Sequence, residues 1–117
     1  MYSTVTNHKS GHDAEKVAAK YLVNEGYKIL SINWRTSVCE IDLVVQKKNV
    51  VYFVEVKFRS TNHQGSGLDY ITAKKLAQMR FAAECWVQEN VYTGVYELGA
   101  IELGAEYEIL ACIMHID

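Results

Sequence analysis

Two hydrophobic periods run through this chain. Over residues 11–25 the period is helical: Ala14, Val17, Ala18, Tyr21 and Leu22 fall on one face at ~100° per residue. Lys16 and Lys20 point away from that face. Glu15 lies at the edge of the apolar arc, beside Ala18 and Leu22. Ser10 is placed to cap this helix, with Asp13 three residues on, and Gly26 is placed to close it. A second helix is predicted over about 72–89, with Ile71, Leu76, Met79, Ala83 and Trp86 roughly on one side.

Between the helices the period drops towards two. Residues 27–33, 39–46 and 50–58 read as strands. Lys47-Lys48-Asn49 is short enough for a hairpin, and Asn tolerates a positive φ. After the second helix, 96–103 and 107–116 read as two strands joined at Gly104-Ala105. The nearly continuous apolar run from Ile109 to Ile116 implies a strand buried on both faces, or a subunit interface. The order helix, three strands, helix, two strands predicts one α/β domain over 1–117, with a mixed central sheet flanked by helices.

The hairpin register follows from burial. A two-residue turn at Lys48-Asn49 pairs residues whose numbers sum to 97, and directly opposite residues share a face. Ile41 then meets Val56, Leu43 meets Val54 and Val45 meets Tyr52 on an apolar face. On the other face Asp42 meets Glu55, and Glu40 meets Lys57. An even sum would push the acids among each strand's apolar residues, so the odd register is expected.

Composition alters this picture little. Hydrophobic residues are 50% and charged residues 22% of 117, an ordinary globular balance. No apolar run reaches the ~18 residues of a membrane span, and the polar first ten residues are not expected to act as a signal peptide. Three widely spaced cysteines without a CxxC fit a reducing cytoplasm better than a disulfide framework or a zinc site. Charge is more informative. Residues 1–80 carry all 12 cations against seven acids, or +5, and residues 81–117 carry seven acids and no cation, or −7. Such a division fits either a polyanion partner for the first part or an uneven solvated surface.

Two carboxylates opposed across a hairpin repel unless a cation, a shared proton or open solvent relieves them. Asp42 and Glu55 suit a hard ion, Mg²⁺ or Mn²⁺, with the Val56 carbonyl as a further ligand. Lys57, on the same face, would orient or help deprotonate an attacking water and offset charge at phosphorus. Glu15 is placed to aim at the same spot, and Glu40 to complete the acidic pocket. The same residues also allow an ordinary cross-strand ion pair on a solvated face. Arg35, Lys47, Lys48, Arg59, Lys74, Lys75 and Arg80 are candidate phosphate contacts, with Arg59 the foremost because it leads towards the Gly65-Ser66-Gly67 loop. His12, His63, Trp34 and Cys39 are assigned no chemistry.

At these residues the chain resembles a known family. Asp42, followed by Glu55-Val56-Lys57, matches the signature of the PD-(D/E)XK nuclease superfamily. The match is closer to its small YraN-like proteins. It runs through Gly11, Glu15, Ala18, Tyr21 and Leu22, then Gly26-Tyr27-Lys28-Ile29-Leu30, Asn33-Trp34-Arg35, Glu40-Ile41-Asp42-Leu43 and Phe53-Val54-Glu55-Val56-Lys57-Phe58-Arg59. Cys39 stands where those proteins usually carry Gly. The archaeal Holliday-junction resolvases are also similar, at Glu15, Asp42, Glu55 and Lys57. The resemblance implies a restriction-endonuclease-like fold and a Mg²⁺- or Mn²⁺-dependent endonuclease acting on DNA, selective for structure rather than sequence. Metal would be held by Asp42, Glu55, Val56 and Glu15, and catalysis would involve Glu15, Asp42, Glu55 and Lys57. Nucleic acid would lie on Arg35, Arg59, Lys74 and Lys75. A resolvase-like role would imply a homodimer. The alternative is a non-catalytic nucleic-acid-binding or DNA-processing accessory domain.

Overall fold

A computed structural model describes the backbone of residues 3–60 and 68–116, with side chains from residue 12 on. The order is α1 (Ser3–Asn24), β1 (Lys28–Arg35), β2 (Glu40–Lys47), β3 (Val50–Phe58), α2 (Ala73–Glu89), β4 (Val95–Leu103) and β5 (Ile109–Ile113). The strands form one mixed sheet in spatial order β1-β2-β3-β4-β5. All neighbours are antiparallel except β3 and β4, which run parallel. A parallel pair needs a long crossover, and α2 supplies it. The α/β expectation holds.

Successive strand residues point to opposite faces, so each face makes its own core. On one face Ala14, Ala18, Ala19 and Leu22 of α1 pack with Leu43, Val45, Val54, Ile101 and Leu103. On the other, Met79, Ala82, Ala83 and Trp86 of α2 pack with Ile41, Val44, Val51, Phe53 and Leu98. The Phe53 ring meets Trp86 edge-on, with centroids 5.4 Å apart.

Several expected boundaries move. α1 begins at Ser3, well before the expected cap at Ser10, whose side chain lies outside the described residues. His63 and Gly65-Ser66-Gly67 lie outside them too. The positive φ of the hairpin turn belongs to Lys48 (57°), not to Asn49. β5 is not buried on both faces: it is an edge strand with Leu110 and Ile113 nearly half exposed. Thr72 caps α2, its hydroxyl accepting from the Lys75 N–H at 3.1 Å.

Gly26 ends α1 as expected. Its φ is 98°, the Tyr27 N–H donates to Leu22 O at 2.9 Å, and the Gly26 N–H donates to Val23 O at 3.0 Å. These are the two bonds of a Schellman ending. A Cβ here would meet only the flexible Lys47 side chain at 3.3 Å, so backbone strain sets the penalty. Gly26→Ala is expected to cost about 1–2 kcal/mol. Urea unfolding would show this as a lower midpoint at an unchanged m-value.

Candidate active site

The β2–β3 ladder pairs Lys47 with Val50, Gln46 with Val51, Val45 with Tyr52, Val44 with Phe53 and Leu43 with Val54, each summing to 97. This is the expected register. It ends at Leu43–Val54, so the expected Ile41–Val56 and Glu40–Lys57 backbone pairs do not form. Beyond that point the Val56 N–H donates instead to Asp42 Oδ2, at 2.8 Å. Along its whole length β3 takes its other partner from β4, up to Phe58–Leu103. Where the two hairpin strands stop pairing, a side chain fits between them, and Asp42 takes that place.

The face alternation of β2 also changes there. Ile41 was expected beside Leu43 and Val45, but it packs with Val44 in the α2-side core. Asp42 correspondingly meets Glu15 of α1, and their carboxyls are hydrogen-bonded. Burial is the first cause of a raised pKa at both residues. For Asp42 the negative charge of Glu55 adds to burial, opposed by the Val56 N–H, and its pKa is pushed up to about 7. One proton between two carboxyls relieves the repulsion that a doubly ionised pair would suffer. Glu15 Oε1 is buried and accepts no hydrogen bond among the described residues.

Glu55 faces α2, where its Oε2 lies 2.9 Å from Lys75 Nζ. A cavity of about 20 Å³, enough for one water-sized sphere, is bordered by Glu40, Asp42 and Glu55. Lys57 extends towards Tyr70, its Nζ 5.8 Å from the ring centroid. Arg59 approaches the same ring at 5.8 Å. The Tyr70 hydroxyl is buried without a hydrogen-bond partner among the described residues. Burial first, then the charges of Glu55 and Asp42, push its pKa up.

Thus Glu15, Asp42, Glu55 and Lys57 all border one end of the sheet, where β2 begins and β3 ends. Lys75 is drawn into this site as the partner of Glu55. Arg59 is committed by its Nε to Glu102, a fully buried acid on β4. Arg35 donates to Asn33 Oδ1 at 3.0 Å and, with Lys74, lines a larger groove beside the site. Lys47 sits at the far end of the hairpin, bonded to Glu25 O at 2.9 Å and 4.8 Å from the Tyr27 ring centroid, away from any site phosphate.

Sequence reasoning missed Tyr70 and Glu102. Glu102 left a faint signal, an acid inside the apolar run Gly99-Ala100-Ile101-Glu102-Leu103. Tyr70 left none, because its role depends on where the start of α2 folds.

Among the described residues no three His, Cys, Asp or Glu side chains converge as a ready-made metal cage. A Mg²⁺ site does not require one, since one or two carboxylates with several waters suffice. Asp42, Glu55 and the Val56 carbonyl would meet that lesser requirement, and Glu55, paired with Lys75 here, would have to exchange that partner for the ion. No helix among the described residues is long and apolar enough to cross a membrane.

The profile of uncharacterised protein family UPF0102 matches residues 14–111. The chain is 38% identical over 90 residues to a UPF0102 protein of Agrobacterium fabrum, covering 77% of this chain and 72% of that protein. It is 42% identical over 81 residues to a UPF0102 protein of Shewanella frigidimarina, covering 69% and 75%. A third relative, from a Sulfurihydrogenibium species, is 40% identical over 86 residues, covering 74% and 75%.

Proposed function

We propose that this chain, which belongs to the uncharacterised protein family UPF0102, is a metal-dependent phosphodiester hydrolase acting on nucleic acid. The observation that carries this reading is the desolvated Asp42 carboxyl. It is held by the Val56 N–H between Glu15 and Glu55, at the strand end that also bears Lys57. A carboxyl whose pKa is about 7 beside two further acids is an expensive arrangement for a fold to keep without a use. The expected likeness to PD-(D/E)XK nucleases rests on the same residues.

Asp42, Glu55 and the Val56 carbonyl would hold the ion, and Glu15 would orient Asp42 and take up its shared proton. Bound Mg²⁺ or Mn²⁺ would supply Lewis acidity at the scissile phosphate. Lys57 would hold the attacking water and offset charge growing on the phosphate oxygens. The Tyr70 ring keeps the Lys57 ammonium on the site side of β3. DNA is the expected substrate, with a homodimer for a two-fold junction.

Calorimetric titration with Mn²⁺ tests the ion site without a substrate, and incubation with branched, nicked and linear DNA in Mn²⁺ or EDTA tests cutting. Metal uptake with EDTA-sensitive cutting is the expected result, and no uptake at millimolar Mn²⁺ refutes the proposal. Lys57→Ala is expected to keep Mn²⁺ affinity within about twofold while lowering the cutting rate by about 10²-fold.

A further inference from the structure

We propose that the groove between the β1–β2 connection and α2 binds an unpaired nucleic-acid strand, stacking a base on Phe81 and placing phosphates on Lys74 and Arg35. The inference deepens the hydrolase reading, because the groove opens directly onto Glu55. The groove holds about 680 Å³, in the range of small-ligand clefts, and takes one or two nucleotides. Its cationic lining is Arg35, Lys74 and Lys75, of which Lys75 already serves Glu55. Its apolar lining includes Phe81 and Val38, which are 55% and 69% exposed and belong to neither buried core.

Lys74 and Phe81 are seven residues apart on α2, so they share a helix face about 10 Å from end to end. A cation and an aromatic ring at that spacing match a phosphate and a base of one strand. A duplex does not exploit them. Its bases are paired and stacked inside, and the apolar ring would be pressed against a sugar–phosphate rail, losing water without gaining a base face. An unpaired base has a free π-face, and stacking on an aromatic side chain tolerates any base. A solvent-exposed Phe in the wall of a groove lined by Arg35, Lys74 and Lys75 with Glu40 and Glu55 at one end is thereby explained.

Fluorescence anisotropy in EDTA, where no cutting occurs, tests the inference with labelled 12-mers of oligothymidylate and oligouridylate and a blunt 12-base-pair duplex. Single strands are expected to bind at least tenfold tighter than duplex. Phe81→Ala is expected to weaken single-strand binding by about tenfold and duplex binding by less than twofold, and Phe81→Trp to retain it. Two phosphate contacts on a single strand predict a log–log salt slope of about −1.4. The ratio between the two oligomers assigns DNA or RNA. Equal or tighter duplex binding, or indifference to Phe81→Ala, overturns the inference and leaves Mn²⁺-dependent cutting intact. Failure of Mn²⁺ uptake removes the hydrolase while the EDTA binding data still decide the groove.

Discussion

Asp42→Asn is expected to stabilise the protein at pH 8 by about 1–3 kcal/mol while lowering Mn²⁺ affinity more than tenfold and cutting by at least 10³-fold. The gain in stability follows from proton linkage. In the folded chain Asp42 keeps its proton up to about pH 7, whereas the ordinary value is 3.8. The folded state therefore binds a proton that the unfolded state has already lost. Stability falls as pH rises through that window, and the loss is complete above it. An amide at position 42 abolishes the term. Its oxygen still accepts from the Val56 N–H, and its NH₂ still donates to Glu15, so the hydrogen bonds of the site survive. Thermal melts of both proteins between about pH 3.5 and 8.5 check this: the curves should lie closest below about pH 4, draw apart as pH rises to about 7 and keep a constant separation above it. Added Mn²⁺ should raise the melting temperature of the parent protein and leave the variant unmoved. A variant less stable than the parent at pH 8 would show that Asp42 serves the fold rather than a ligand.

Arg59→Ala is expected to be the most destabilising single change, by about 3–5 kcal/mol, or about 10 °C or more in Tm. Glu102 is 2% exposed and paired through Arg59 Nε. It stands opposite Lys57 in the β3–β4 register, between the buried Ile101 and Leu103. Truncating the arginine strands a carboxylate between apolar neighbours. The penalty should shrink at acid pH, where the orphaned carboxyl takes up a proton. Replacing both partners, as Arg59→Met with Glu102→Leu, should recover most of the loss, because the desolvation problem disappears with the charge. Urea denaturation of the three variants measures this. An Arg59→Ala cost below 1 kcal/mol would mean that the pair is solvated and contributes little.

The same pair changes how Arg59 is read. As a cation leaving the active strand it looked like the foremost phosphate contact, yet its Nε is bound to a buried acid 43 residues away. Lys75 was expected, like Arg59, to meet phosphate, and it reaches Glu55 in the site. A single position in a sequence shows a charge but not its partner, and partners here come from distant segments.

What the sequence alone determined was whatever depends on local periodicity and a short turn. The helix faces and the sum-97 register follow from periodicity and alternation, because a one-residue slip would have buried Asp42 or Glu55 among valines. The same logic brought Asp42, Glu55 and Lys57 to one end of one hairpin. Only the tertiary structure decided where the ladder stops, which turned Asp42 towards Glu15 and moved Ile41 to the opposite core. It alone brought in Tyr70 and Glu102, since their positions depend on how α2 and β4 pack against β3. Local pattern constrains a residue's direction, but desolvation and charge pairing arise between segments far apart in the chain, so they exist only once the layers have closed.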